Sequence, residues 1–179
     1  MVKIINIIET DEQFKRRKKN ISLANTTETD EQIKRHKKSM GSKNHSILQY
    51  NLILQLGFKY HEILKFIPEL SIDIGGFEKI PDLSIYKNLE ITPEADEIRV
   101  KELPLGVIEI LSPTQSLTEL IVKSHTYFDG GILSYWLVLP ALKSIYVYNA
   151  KGKYKVYTYE DVLKDTILNI ELDLEKIFK

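Results

Sequence analysis

Cysteine is absent from all 179 residues, which excludes disulfides and thiolate metal sites and suits a reducing compartment. No run of 18 apolar residues occurs, and the few apolar residues before Glu9 are too short a core for a signal peptide. Neither a membrane span nor a secretory leader is therefore expected, and the chain reads as cytoplasmic. Charge of one sign is also lacking: 25 Lys and Arg balance 25 Asp and Glu. No overall basic field points to a nucleic-acid partner, although a local groove can be basic within a balanced total. The G-x-x-x-x-G-K-[ST] loop, the G-x-S-x-G elbow and the G-x-G-x-x-G turn are missing, which removes the common nucleotide-binding and hydrolase templates. His61 and His125 stand without a second histidine at ligand spacing, so no zinc site is expected.

What is present describes a folded domain with an appendage: 43% of residues are apolar and ten are tyrosine. Residues 1–39 form an N-terminal arm carrying a near-repeat, in which ETDEQFKRRKKN (Glu9 to Asn20) returns as ETDEQIKRHKKS (Glu28 to Ser39). Each copy offers Thr10 or Thr29 as a helix cap, acids first and a basic cluster last, the charge order a helix dipole favours. With one large apolar residue per copy, Phe14 or Ile33, two solvated turns are the plainer reading. Phosphate contact by Lys15 to Lys19 and Lys34 to Lys38 is the sharper one.

The domain proper is expected over residues 40–179. Ile47, Leu48, Leu52, Ile53 and Leu56 recur at helical spacing, which predicts an amphipathic helix from Asn44 to Leu56 ended by Gly57. His45, at its start, is expected in a capping or surface role. Phe66 to Gly76 alternates like a strand, turns at Gly75-Gly76 and returns antiparallel through Ile80 to Tyr86. Lys87 to Leu103 reads as a polar surface loop. A strand around Val107 to Leu111, a helix from Ser116 to Asp129 and a strand from Ser134 to Pro140 make a crossover unit, which gathers side chains at the strand ends beside the helix start. Further strands follow at Lys143 to Ala150 and Lys153 to Tyr159. Tyr135 and Trp136 read as core, and Leu172, Leu174, Ile177 and Phe178 as a segment closing one edge of it.

Two acids stand out. Glu109 interrupts the apolar run Val107, Ile108, Ile110, Leu111, where an unpaired carboxylate would cost several kcal/mol or become neutral. A bound cation or a lysine would remove that cost. Asp82 follows Pro81 at the start of another strand. If the two strands are neighbours, their carboxylates can converge on a hard divalent cation such as magnesium. Taken alone, Asp82 reads more plainly as a turn aspartate capping a backbone group. Ser112, Thr114 and Gln115, at the turn into the next helix, could bind phosphate or simply cap.

The ordered motifs IPDLSIY (Ile80 to Tyr86), PLGVIEILSPTQ (Pro104 to Gln115), the helix pattern Glu119, Lys123, Tyr127, and GGILSYWLVLP (Gly130 to Pro140) resemble the Uma-two family of restriction-endonuclease-like proteins, within the PD-(D/E)XK nuclease superfamily. The resemblance implies an α/β fold, a restriction-endonuclease-like mixed central sheet flanked by helices. It implies a metal-dependent endonuclease acting on DNA, with Asp82 and Glu109 as ligands of Mg2+ or Mn2+. Glu69 matches a glutamate often seen before the hairpin. The superfamily's lysine, two residues after the second acid, is replaced here by Leu111. In the resembling family it has moved to the following helix, where Lys123 is the candidate and Tyr127 shares its face. The plainer reading of Glu119 and Lys123 is a surface ion pair worth a few tenths of a kcal/mol. Leu111 keeps an alternative open: a catalytically inactive nuclease-like fold serving as a DNA-binding or protein-interaction module. Homodimerisation would suit an enzyme that must cut two strands, but no residue in the sequence shows it.

Overall fold

A computed structural model describes residues 41–179. The N-terminal arm, its near-repeat and its basic clusters lie outside the described residues.

The first helix, α1, spans Lys43–Tyr60, with Ser42 as its N-cap. His45, Leu48, Leu52, Leu56 and Tyr60 are its buried positions, a single stripe at helical spacing. Gly57 does not end the helix as expected. The chain continues one more turn to His61, whose amide bonds to the Gly57 carbonyl at 3.0 Å. A mid-helix glycine costs about 1 kcal/mol. The stripe offsets this by reaching Tyr60, whose hydroxyl accepts the Glu171 amide at 2.7 Å.

Six strands form the central sheet: β1 (Lys65–Pro68), β4 (Leu83–Tyr86), β5 (Gly106–Ile110), β6 (Ser134–Leu139), β7 (Ser144–Ala150) and β8 (Lys153–Thr158), in the spatial order β1-β4-β5-β6-β7-β8. All neighbours are antiparallel except β5 and β6, which helix α2 (Leu117–Asp129) joins as a parallel crossover. The sheet is thus mixed, as the motifs implied.

The segment Phe66 to Gly76 is not one strand. β1 stops at Pro68, Glu69 takes a left-handed φ of 50°, and a separate hairpin of β2 (Ile72–Ile74) and β3 (Phe77–Lys79) follows. Its turn does fall on Gly75 and Gly76, both at positive φ. The break arises because the amide of Asp73 and the carbonyl of Ser71 bond to Val100, which draws this stretch away from the central sheet. Consequently β4 pairs with β1, Phe66 opposite Ile85, rather than with the residues just before the glycines.

Alternation sends the sheet's side chains into two cores. One holds Leu52 and Leu56 of α1 with Ile85, Ile108 and Trp136; the other holds Leu120 and Tyr127 of α2 with Val107, Tyr135 and Leu137. Tyr135 and Trp136 are fully buried, as the sequence indicates. The C-terminal residues Leu172, Leu174, Ile177 and Phe178 enter the α1 core, preceded by an unforeseen hairpin of β9 (Val162–Asp165) and β10 (Ile170–Asp173). No helix among the described residues is long and apolar enough to cross a membrane.

Candidate active site

Glu109 is the penultimate residue of β5 and only 2% exposed. Its charge is met from α2. The side chain of Ser116 accepts the Glu119 amide at 3.1 Å, and the Glu119 carboxylate accepts the Ser116 amide at 3.2 Å, a reciprocal cap that fixes where the helix begins. Lys123 and Tyr127 follow at one-turn spacing over β5. Lys123 Nζ lies 2.5 Å from Glu109 Oε1, and the Tyr127 hydroxyl donates to the same oxygen at 2.6 Å. Glu119 is therefore a capping residue, and the lysine's partner is the strand glutamate. Burial pushes the Glu109 carboxyl above its ordinary range; the Lys123 charge opposes that rise and the Asp82 charge adds to it. Burial likewise raises the Tyr127 and Tyr135 hydroxyls, with the Glu109 charge contributing, so both stay protonated donors.

Asp82 arrives from the neighbouring strand. Leu83 is opposite Ile108 in the antiparallel ladder, so the next step brings Asp82 opposite Glu109. The Ile110 amide donates to Asp82 Oδ2 at 2.6 Å, which binds this carboxylate to the peptide that follows Glu109. Asp82 does cap a backbone group, then, but one 28 residues away on another strand. A second donor reaches the same oxygen: His45 Nε2, at 3.0 Å. One turn further along α1, Gln49 donates its side-chain amide to the Asp82 carbonyl at 2.9 Å.

His45 is a correction to the surface role expected for it. The residue is 6% exposed and faces the acids. The Asp82 hydrogen bond raises its pKa, burial opposes this, and the charges of Asp82, Glu69 and Glu109 add to the rise. The sequence did carry a signal: His45 stands three residues before Leu48, on the stripe that continues to Leu52 and Leu56.

Glu69 lies at the same corner, but its side chain bonds neither acid. It is exposed, its amide approaches the Asp82 carbonyl at 3.3 Å, and its left-handed backbone is a strained conformation for a glutamate. Leu111 packs against the α2 core. Ser112, Thr114 and Gln115 bond among themselves, with the Ser112 amide donating to Gln115 Oε1 at 3.2 Å and the Ser112 and Thr114 hydroxyls 3.2 Å apart. His61 and His125 are exposed.

Among the described residues no three His, Asp or Glu side chains gather closely enough to cage a metal ion. The pair of acids nevertheless suits a hard cation that keeps most of its water. Both donors to Asp82 use Oδ2, and both donors to Glu109 use Oε1. Each carboxylate thus keeps one oxygen that these contacts do not occupy, and the Asp82 charge raises the cost of ionising Glu109.

Comparison with known proteins agrees with the motifs. A family model described as "Uma2: Putative restriction endonuclease" matches residues 28–175. Among solved structures, a chain described as a putative nuclease belonging to DUF820 from Anabaena variabilis is similar, with a TM-score of 0.67 at 21% sequence identity. The likeness covers 78% of this chain and 82% of that one, and at this identity it shows a shared fold. No curated protein matches the chain.

Proposed function

The chain belongs to the Uma2 family of restriction-endonuclease-like nucleases, and from that premise we propose that it is a divalent-metal-dependent endonuclease cutting DNA. One observation carries the reading. Asp82 is bonded to the peptide after Glu109, and Glu109 is bonded to Lys123, so two acids and an ammonium from three separate elements meet at one end of the central sheet.

Asp82 and Glu109 would hold Mg2+ or Mn2+ through the oxygens their protein contacts leave unused. When bound, such an ion polarises a phosphodiester and lowers the pKa of water. The chain's own groups do the rest. Tyr127 and Lys123 fix the Glu109 carboxylate by its other oxygen. The Lys123 side chain is 25% exposed, so an ammonium anchored on a buried acid also faces solvent, where it can orient an attacking water and steady charge building on phosphate oxygens. Lys123 thereby supplies from α2 the group that Leu111, just beyond β5, cannot supply. Glu69, at the rim, adds negative charge while only its backbone amide bonds to Asp82.

Incubating supercoiled DNA with the protein and Mg2+ tests this reading. Asp82→Ala and Glu109→Ala should each lower cleavage at least about a hundredfold while the circular dichroism spectrum stays that of a folded protein. Undiminished cleavage by either variant removes the assignment. A wild-type protein that binds DNA but takes up neither Mg2+ nor Mn2+ is instead the inactive binding module for which Leu111 argues.

A further inference from the structure

The buried stripe of α1 runs Leu48, Leu52, Leu56, Tyr60, and its first member is a histidine. An aliphatic residue there would pack with the others, whereas a buried imidazole needs a partner to offset its lost hydration. His45 has one partner, Asp82 Oδ2, while its Nδ1 is buried with none among the described residues. Three local features hold the ring in place. Ser42 caps the helix at the His45 amide, at 3.4 Å. Gly41 leaves room beside the ring, since a Cβ there would come within 2.7 Å of Nδ1. Gln49, one turn on, ties the same helix to the Asp82 carbonyl. One helix thus grips one aspartate by both carboxylate and main chain, from the sheet face opposite the helix that carries Lys123.

The Ile110 amide and the His45 ring converge on a single carboxylate oxygen at 2.6 and 3.0 Å. Two fixed donors on one oxygen set the plane of the carboxylate and leave Oδ1 as the oxygen available to a ligand. We infer that His45 is a positioning residue of the active site, orienting Asp82 so that Oδ1 is preset to receive the divalent cation. This rests on the reading of Asp82 as a cation ligand. Outer donors of this kind typically change metal affinity about 10- to 100-fold.

Titration of the metal-free protein with Mn2+ in a calorimeter, without nucleic acid, tests the inference. His45→Leu fills the stripe with an aliphatic side chain and should melt no lower than wild type, yet bind Mn2+ about 10- to 100-fold more weakly. His45→Gln, whose amide can reach where Nε2 stood, should recover most of that loss. In cleavage assays His45→Leu should need more Mn2+ for half-maximal rate while KM for DNA is unmoved. Equal Mn2+ affinity in wild type and His45→Leu, with Asp82→Ala losing it, overturns the role of His45 alone. Loss of affinity that His45→Gln does not recover reduces the residue to packing. No Mn2+ uptake by the wild type overturns the metal-site reading and this inference together.

Discussion

Two carboxylates are buried to the same degree at opposite ends of the central strands, Glu109 near the end of β5 and Asp165 beside the start of β6, each 2% exposed. Their surroundings differ in kind. Asp165 Oδ2 accepts from the Ser134 hydroxyl at 2.5 Å and the Trp136 indole at 2.8 Å; Oδ1 accepts the amides of Ile167 and Leu168 at 2.9 and 3.1 Å. Four neutral donors share two oxygens, and among the described residues no cation joins them. Glu109 has two donors on one oxygen, one of them charged, and a second carboxylate close enough to oppose its ionisation. Burial alone therefore does not mark a functional acid. An acid that the fold has fully satisfied belongs to the architecture; one left with an unclaimed oxygen beside a like charge is the kind that the proposed function calls on.

The largest expected effect falls on stability at the Asp165 end. Asp165→Ala leaves a hydroxyl, an indole N–H and two amides facing a gap, each worth about 1–3 kcal/mol when buried unpaired. Allowing for entry of water, a loss of about 3–5 kcal/mol is expected in urea unfolding. Asp165→Asn should also be costly, because either orientation of its amide turns an NH2 group toward two donors. Cleavage per folded molecule should hold in both variants. A stable Asp165→Ala protein would show that these four bonds contribute little.

Glu109 should behave in the opposite way. Its pKa is raised in the folded protein, so the folded state holds the proton more tightly than the unfolded one. The resulting stability is present below the unfolded value of 4.5 and is lost as pH rises through the folded value. Glu109→Gln removes that slope. At neutral pH the variant should lie within about 1 kcal/mol of wild type, or above it, because the partly exposed Lys123 can turn to water. Below the unfolded value the advantage should vanish, and at every pH cleavage should be lost. Urea midpoints across pH 4–8 give the comparison. A wild type that grows more stable relative to Glu109→Gln as pH rises would mean that the Lys123 and Tyr127 bonds outweigh burial.

The same contrast explains what could be read before any coordinates. Glu109 is visible because it breaks an apolar run, a local signal, whereas Lys123 and Tyr127 stand out only through the resemblance to the family, since the residues alone read as a surface pair of Glu119 with Lys123. Asp82 needed its strand partner to be guessed, and the family motifs supplied it. His45 reads as a surface or capping residue because a helix start is usually exposed, although it stands on the Leu48 stripe. Nothing local marks Asp165, whose side-chain donors lie 29 and 31 residues away, or the β9/β10 hairpin around it. The interruption at Glu69 was hidden for a similar reason. Alternation continued through it, and only the pairing of Ile72 with Val100 shows why the strand must break.

The smallest effect gives the sharpest comparison, because one hydroxyl can be removed from each carboxylate. Tyr127→Phe deletes the 2.6 Å donor to Glu109 while keeping a ring stacked 5.8 Å from Tyr135, and Ser134→Ala deletes the 2.5 Å donor to Asp165. Each loses one hydrogen bond to a charged group, so similar stability losses of about 1.5–3 kcal/mol are expected. Their activities should diverge. Without Tyr127 the Glu109 carboxylate keeps only the flexible lysine to orient it, and cleavage should fall about tenfold. Ser134→Ala should leave the rate per folded molecule unchanged, since Asp165 retains three donors and touches no reacting group. If the two variants lose equal activity, the loss follows stability rather than geometry, and the distinction drawn between the two acids fails.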